Sequence, residues 1–418
     1  MKSVKRLFSL VFIFIFHFVI LYSQNDEKMN YKKEKSSELE KFLEFRMELQ
    51  NIIEMRFPIL KREAVDSLWY KLKATGDIPF RAGNYAAFLY RGEAESVTIQ
   101  GDFTGWGRMR STDNSAIRIK DTDLWFLEKE FPSDARIDYK IVINGKTWIL
   151  DPNNPLTQMS GFGNNSELRM PDWKPSPWIV RDSKIPEGKV TEDIRIKSKL
   201  LGYDLQYRVY LPFGYEQMKN LPVIYVTDGH EYSHDDKGSM LIVLDNLIYK
   251  GLINPVIAVF IDPRDPDDLN MNRRESQFLM NERYLNFVCE ELVPKIDAEY
   301  KTSKYSKDRA ILGTSYGGVC ATYFALMRSN VFHLVAIQSP AYGGAMKLDS
   351  IYKGVPKLPL KIFMSSGTIN DGETLTRMVK SKYEQDGYEI LYKEVNEGHS
   401  WGNWRALIDD MLIYFWGR

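Results

Sequence analysis

The stretch RAILGTSYGGVCATYFALM, residues 309–327, changes character twice. Ala310 to Leu312 are a short apolar run, Gly313 to Gly318 are mostly small residues, and Val319 to Met327 carry apolar side chains at helical spacing. The order reads as strand, sharp turn, helix. Ser315 stands at the corner, in the pattern Gly313-Thr314-Ser315-Tyr316-Gly317. A strained turn there lifts a serine hydroxyl above the end of a sheet, and the small residues let strand and helix approach closely. The same letters also occur in glycine-rich turns without chemistry, so the partners of Ser315 decide between the two.

Outward from this corner, strand-like runs alternate with helical ones. The strands are LQYRVYLP (205–212), LPVIYVTDG (221–229), PVIAVFID (255–262), HLVAIQSP (333–340), LKIFMSSG (360–367) and YEILYKEV (388–395). Between them lie NERYLNFVCEELVPKIDAEY, TLTRMVKSKYEQ and WRALIDDMLIYFW. Continuous apolar strands interleaved with amphipathic helices predict an α/β fold, a mostly parallel sheet covered on both faces. Loops at the carboxyl ends of its strands are where chemistry is expected.

A serine hydroxyl is a weak nucleophile at neutral pH and needs a base within hydrogen-bond reach. After the leader, the histidines are His230, His234, His333 and His399. His399 lies in EGHSWGNWR, between the last strand and the final helix, where an α/β-hydrolase carries its base. His333 opens a strand behind the nucleophile helix and reads as structural. His230 and His234 precede the serine and are left to line a pocket. The group that holds the imidazole tautomer is expected in SSGTINDGE, where Asp371 completes the order Ser315, Asp371, His399. Loop acids commonly cap helices, Glu373 stands close by, and serine–histidine dyads exist. Asp371, Glu373 and no acid at all therefore remain open. The oxyanion needs two N–H donors. One is expected from Tyr316, the other from Gly229 or His230 in DGHEY, with Gly229 letting the backbone approach a substrate. Tyr232, Tyr342 and Trp401 are candidates for contact with an aromatic acyl group, against the plainer role of packing.

Towards the N-terminus, Lys2, Lys5 and Arg6 precede an apolar stretch from Leu7 to Tyr22 and a polar segment. This is the pattern of a signal peptide, residues 1–23, shorter than the roughly 20 residues of a bilayer span. It predicts a secreted or periplasmic protein, with a retained anchor as the alternative. Residues 24–80 read as helical, with Leu39, Phe42, Leu43, Leu49, Ile52 and Ile53 on one face and a second run from Arg62 to Ala74, closed by Gly76 and Pro79. From 81 to 173 the period switches to short alternating strands, AAFLYRG, SVTIQGDF, LWFLEKEF, RIDYKIVING and TWILDP, which suggests a β-sandwich. A linker, PDWKPSPW (171–178), leads into the α/β unit at 174–418. Trp106, Trp125 and Trp148 offer a sugar-stacking platform, against core filling for Trp125 and Trp148.

The phrases GDFTGW, DLWFLEKEF and YKIVINGKTWILDPNNP resemble the immunoglobulin-like domain found ahead of enterochelin-esterase-like and feruloyl-esterase-like enzymes, related to glycogen-binding modules. DGHEY, GTSYGG and GHSWGNWR, in that order, resemble the esterase family that includes enterochelin esterases, carbohydrate-esterase family 1 feruloyl and acetylxylan esterases, and mycolyltransferases. The resemblance spans residues 80 to 418. It implies an α/β-hydrolase with Ser315 as nucleophile and His399 as base. Asp371 stands four residues after Gly367, where the family places an acid three after.

Lys+Arg and Asp+Glu balance at 56 each, so no global field draws nucleic acid, and no membrane partner is expected beyond the leader. Cys289 and Cys320 are the only cysteines and the histidines lack ligand spacing, so neither a metal nor a cofactor is expected. The two thiols are expected free and buried, with a disulfide open. The acids in IDPRDPDDLN lack the glycine and final glutamate of a calcium loop and read as a solvated turn. The leading reading is a serine carboxylic-ester hydrolase acting on acyl or hydroxycinnamoyl esters of polysaccharide. A catecholate-siderophore esterase and a glycan-binding protein with an inactive hydrolase unit are the alternatives; the oligomeric state is not legible.

Overall fold

The computed structural model describes residues 35–108, 113–343 and 357–418. The expected signal peptide lies outside the described residues. Helix α1 covers 35–54 and α2 covers Pro58–Thr75. Pro58 suits the first turn of α2, where its missing N–H costs no bond, and Gly76 ends the helix at φ 71°, a left-handed cap.

Nine strands follow: β1 Phe80–Ala82, β2 Tyr85–Arg91, β3 Val97–Gly101, β4 Ile117–Arg118, β5 Leu124–Glu130, β6 Arg136–Ile143, β7 Thr147–Ile149, β8 Thr157–Ser160 and β9 Gly163–Arg169. They form two antiparallel sheets, β1-β2-β5-β4 and β3-β6-β9-β8, with β7 on β6. Ala86, Phe88, Trp125 and Leu127 of one sheet pack against Val97, Ile99, Ile137 and Tyr139 of the other, which makes a sandwich. The outer face of the first sheet is covered by α1 and α2 through Phe45, Leu49, Val65 and Leu68. Trp125 is in the core, but Trp148 is 47% exposed on the short strand β7. Trp125 and Trp148 lie on different sheets, and Trp106 lies in the turn Asp102–Gly107 after β3.

The rest of the chain builds a nine-stranded sheet from β10 Lys189–Val190, β11 Ile194–Lys197, β12 Asp204–Leu211, β13 Val223–Val226, β14 Ile257–Asp262, β17 Arg309–Thr314, β18 Leu334–Gln338, β19 Lys361–Gly367 and β20 Glu389–Val395. An exposed hairpin, β15 Arg264–Asp265 with β16 Asp268–Asn272, intervenes where a solvated turn was expected. The order is β10-β12-β14-β13-β17-β18-β19-β20, with β11 on β12. Pairings from β14 through β20 are parallel, and β12 joins β14 antiparallel. Val223 and Tyr225 enter one core while Ile224 and Val226 enter the other. Burial on both faces explains why these strands read as unbroken apolar runs. Strand β10 is exposed and β11 largely so, and both are too short to stand out as apolar runs.

Candidate active site

Strand β17 is central, and at its end Ser315 takes φ 57°, ψ −119° before helix α6, Tyr316–Met327 (α3 is Gly229–Tyr232, α4 Met240–Tyr249 and α5 Arg274–Phe278). A positive φ at a non-glycine residue is strained and persists only where the surroundings fix it. Here the Ser315 N–H donates to Gln338 O (3.1 Å), and its carbonyl accepts from Ala341 (3.1 Å), Gly318 (3.0 Å) and Val319 (3.2 Å). The neighbouring glycines are required by close approach. A Cβ at Gly313 would stand 2.0 Å from Gly317 O, and one at Gly317 would stand 2.4 Å from Thr227 Oγ1.

Asp371 follows β19, and its carboxylate is buried. Oδ2 accepts from Gly367 N–H (2.5 Å) and Ser339 Oγ (2.5 Å), while Oδ1 lies 2.5 Å from His399 Nδ1. The residue capping the next helix, α7 (Glu373–Gln385), is Gly372, so the Asp371 carboxylate faces the imidazole and not the helix end. Glu373 accepts from the Asp371 N–H (3.2 Å) and has no bond to His399. The His399 side chain is 37% exposed, and its ring meets the edge of Trp404 at 4.9 Å. Trp404 Nε1 in turn donates to Ser339 Oγ (2.8 Å). Trp404 belongs to helix α8, Trp401–Arg405, and the final helix α9 is Ile408–Trp416.

Ser315, Asp371 and His399 thus stand in loops after β17, β19 and β20, and the loop after β18 binds the first two. Among the described residues no hydrogen-bond partner meets Ser315 Oγ.

The N–H groups of Tyr316, Gly229 and His230 meet no acceptor among the described residues. The two donor loops are tied together by Arg274, which binds Asp228 at 2.9 and 3.0 Å and lies 5.2 Å from the centre of the Tyr316 ring. Packing gives a further reason for glycine at 229. Asp228 carries the left-handed turn (φ 50°), while a Cβ on Gly229 would meet the β14 backbone at Phe260 C, 2.3 Å away. His230 is half-buried near Asp262 (3.4 Å), and desolvation pushes its imidazole below the usual value.

The three aromatics expected to touch substrate need correcting. Tyr232 is fully buried with its hydroxyl donating to Gln338 Oε1 (2.7 Å) and its ring packed on Trp401. Tyr342 is buried with its hydroxyl 2.8 Å from Thr322 Oγ1. Trp401 is buried between Tyr232 and Trp404. Aromatic size drove the expectation, and packing behind the loops claimed all three. His234 is exposed and bonds locally to the Asp236 N–H, and His333 bonds Ser306 at the opposite end of β18. Cys289 and Cys320 are free and buried. Sequence reasoning missed Ser339, Trp404 and Arg274. The Ser-Pro step closing HLVAIQSP and the second tryptophan of GHSWGNWR were signals for the first two; nothing local marked Arg274.

Comparison with known proteins places the chain in a family. The family model Esterase, described as "Putative esterase", matches residues 198–415. An uncharacterized protein, YjcH, of Bacillus subtilis is 25% identical over 237 residues, 54% of this chain and 98% of that one. An endo-1,4-beta-xylanase/feruloyl esterase of Xylanibacter ruminicola is 25% identical over 342 residues, 78% of this chain but 44% of its own length. The enterobactin esterase FES of Shigella flexneri shares the fold at TM-score 0.65 and 22% identity, over 79% of this chain and 92% of that one. A ferric enterobactin esterase of Salmonella typhimurium does so at TM-score 0.66 and 18% identity, again over 79% of this chain. With the family model covering more than half of the sequence, the chain belongs to the Esterase family and is an esterase of the α/β-hydrolase fold.

Proposed function

We propose that the enzyme is an exported serine carboxylic-ester hydrolase that works through an acyl-Ser315 intermediate. The observations that carry this reading are the Asp371–His399 hydrogen bond of 2.5 Å and a serine held at φ 57° on the strand–helix corner. Ser315 Oγ attacks the ester carbonyl while His399 Nε2 takes its proton, and Asp371 holds Nδ1–H so that Nε2 is free to accept. The oxyanion is received by the N–H of Tyr316 and that of Gly229 or His230. The alcohol leaves with the proton from His399, and water, deprotonated by the same imidazole, releases the acid.

The substrate class is an acyl or hydroxycinnamoyl ester of polysaccharide. Its support is the match with the xylanase/feruloyl esterase, which extends over 78% of the chain. The N-terminal leader fits export to such a substrate. The chain is divided as helical segment 24–80, sandwich 81–173 and esterase domain 174–418. Turnover of p-nitrophenyl acetate by the enzyme and by Ser315→Ala tests the mechanism, and equal rates would refute it. A screen of methyl ferulate, acetylated xylan and a catecholate trilactone tests the substrate class. Preference for the trilactone would move the reading to siderophore hydrolysis.

A further inference from the structure

The loop that carries His399 is built against the sandwich. Arg136 of β6 is completely buried, and its N–H donates to Asn396 O (3.1 Å). Its guanidinium binds Glu167 through Nε (2.7 Å) and Asp138 through Nη2 (2.8 Å), both in the sandwich. The remaining nitrogen, Nη1, crosses to the other domain and reaches Ser400 Oγ (3.1 Å) and Glu397 Oε2 (3.3 Å), on either side of His399. Trp173 holds the second oxygen of Glu397 (3.0 Å).

Three further observations point the same way. Ser400 stands at the N-cap of α8 yet makes no capping bond, its hydroxyl being taken by Arg136. The glycines of the GHSWG motif are sized to the sandwich: a Cβ at Gly398 would lie 2.1 Å from Asp102 Cγ and one at Gly402 2.0 Å from Arg136 Cζ. The loop bearing Asp371 is gripped as well, since Asn370 Nδ2 donates to Asp102 O (2.9 Å) and Ile369 packs on the sandwich core.

A buried ion network contributes little net stability, because desolvation offsets most of the attraction. Its geometric effect is what distinguishes this one. We propose that the sandwich is part of the catalytic apparatus, with Arg136 acting as a positioning residue that sets the His399 loop through Glu397 and Ser400. The inference rests on the proposed role of His399 as base. It gives the sandwich a task independent of any glycan.

The test compares kcat, KM and melting temperature on p-nitrophenyl acetate for full-length enzyme, Ser400→Ala, Arg136→Lys, Asp134→Ala and His399→Ala. Displacing a catalytic group by about 1 Å can cost about 100-fold. Arg136→Lys, which keeps the charge but loses the fork, is expected to lower kcat by roughly that factor with KM changed by less than about twofold. Ser400→Ala has no cap to lose but takes a buried acceptor from Arg136 Nη1, so its melting temperature should fall modestly while kcat falls about tenfold with KM changed by less than about twofold. Asp134→Ala removes an exposed bond to Asn396 in the same interface and should leave kcat unchanged. In a His399→Ala background, Arg136→Lys should cost nothing more. Should Arg136→Lys fail to fold, Ser400→Ala alone decides. An inactive His399→Ala beside a Ser400→Ala of full kcat overturns the positioning role alone; a fully active His399→Ala removes the catalytic reading and this inference with it.

Discussion

Replacing Asp371 by asparagine isolates what the carboxylate does. Its two oxygens have different neighbours: Oδ2 accepts from Gly367 N–H and Ser339 Oγ, and Oδ1 faces His399 Nδ1. An asparagine must keep its single carbonyl oxygen towards the Gly367 donor, since its own NH2 group there would set donor against donor. The NH2 then points at Nδ1, which must act as acceptor, and the proton moves to Nε2. In that tautomer His399 cannot take the proton of Ser315. A serine hydrolase with the wrong tautomer loses about 10⁴-fold in kcat, about 5 kcal/mol in the barrier. Asp371→Ala leaves either tautomer available and should lose less activity. Its stability should suffer more, because the Gly367 and Ser339 donors lose their buried acceptor at about 1–3 kcal/mol each. Activity should therefore fall in the order wild type, Asp371→Ala, Asp371→Asn, while urea midpoints fall in the order wild type, Asp371→Asn, Asp371→Ala. Steady-state kinetics and denaturation on the three proteins suffice. An Asp371→Asn enzyme retaining a tenth or more of kcat would refute the argument.

Other outcomes follow from individual contacts. Gly317→Ala should destabilise by about 1–3 kcal/mol through the clash with Thr227 Oγ1, and Thr227→Ala should relieve it. The same second change should not rescue Gly313→Ala, whose obstacle is the Gly317 backbone, and urea midpoints of the two pairs check this. Tyr232→Phe should leave KM for aryl esters unchanged while lowering stability by about 1–2 kcal/mol, since its hydroxyl serves Gln338 and not a ligand. His230 has a folded pKa below its ordinary value of about 6.5, so the unfolded chain binds the proton first. Its contribution to stability is intact above about pH 6.5 and is lost as pH falls from there towards the lowered folded value; melting curves in that window should be flatter for His230→Asn.

Much of the hydrolase unit was readable because its central strands are buried on both faces. Runs such as VIYV and IAVFID are short and rich in β-branched residues, which favours strand over buried helix, and the parallel order follows from the helices between them. The nucleophile corner was readable for a local reason, that strand and helix pack through Gly313 and Gly317. The Asp371–His399 contact was only partly so, because a loop acid before a helix has the same sequence whether it caps or faces a base. Tertiary space decided it, with Gly372 at the cap. Tyr232, Tyr342 and Trp401 were misread since exposure has no local signature: large rings near a loop fill the wall behind it as readily as the pocket. Least visible was Arg136, which meets Glu397 across 261 positions of chain, and whose neighbours in RIDYKIVI read only as a strand.

The central claim is that the Ser315 hydroxyl is a nucleophile activated by His399. A fluorophosphonate that reacts only with activated serines, followed by mass spectrometry of the peptide spanning residues 310–328, tests it most directly. Stoichiometric addition at Ser315, abolished in His399→Ala, is the result the account predicts. Label on another residue, or equal labelling of Ser315 with and without the imidazole, would contradict it.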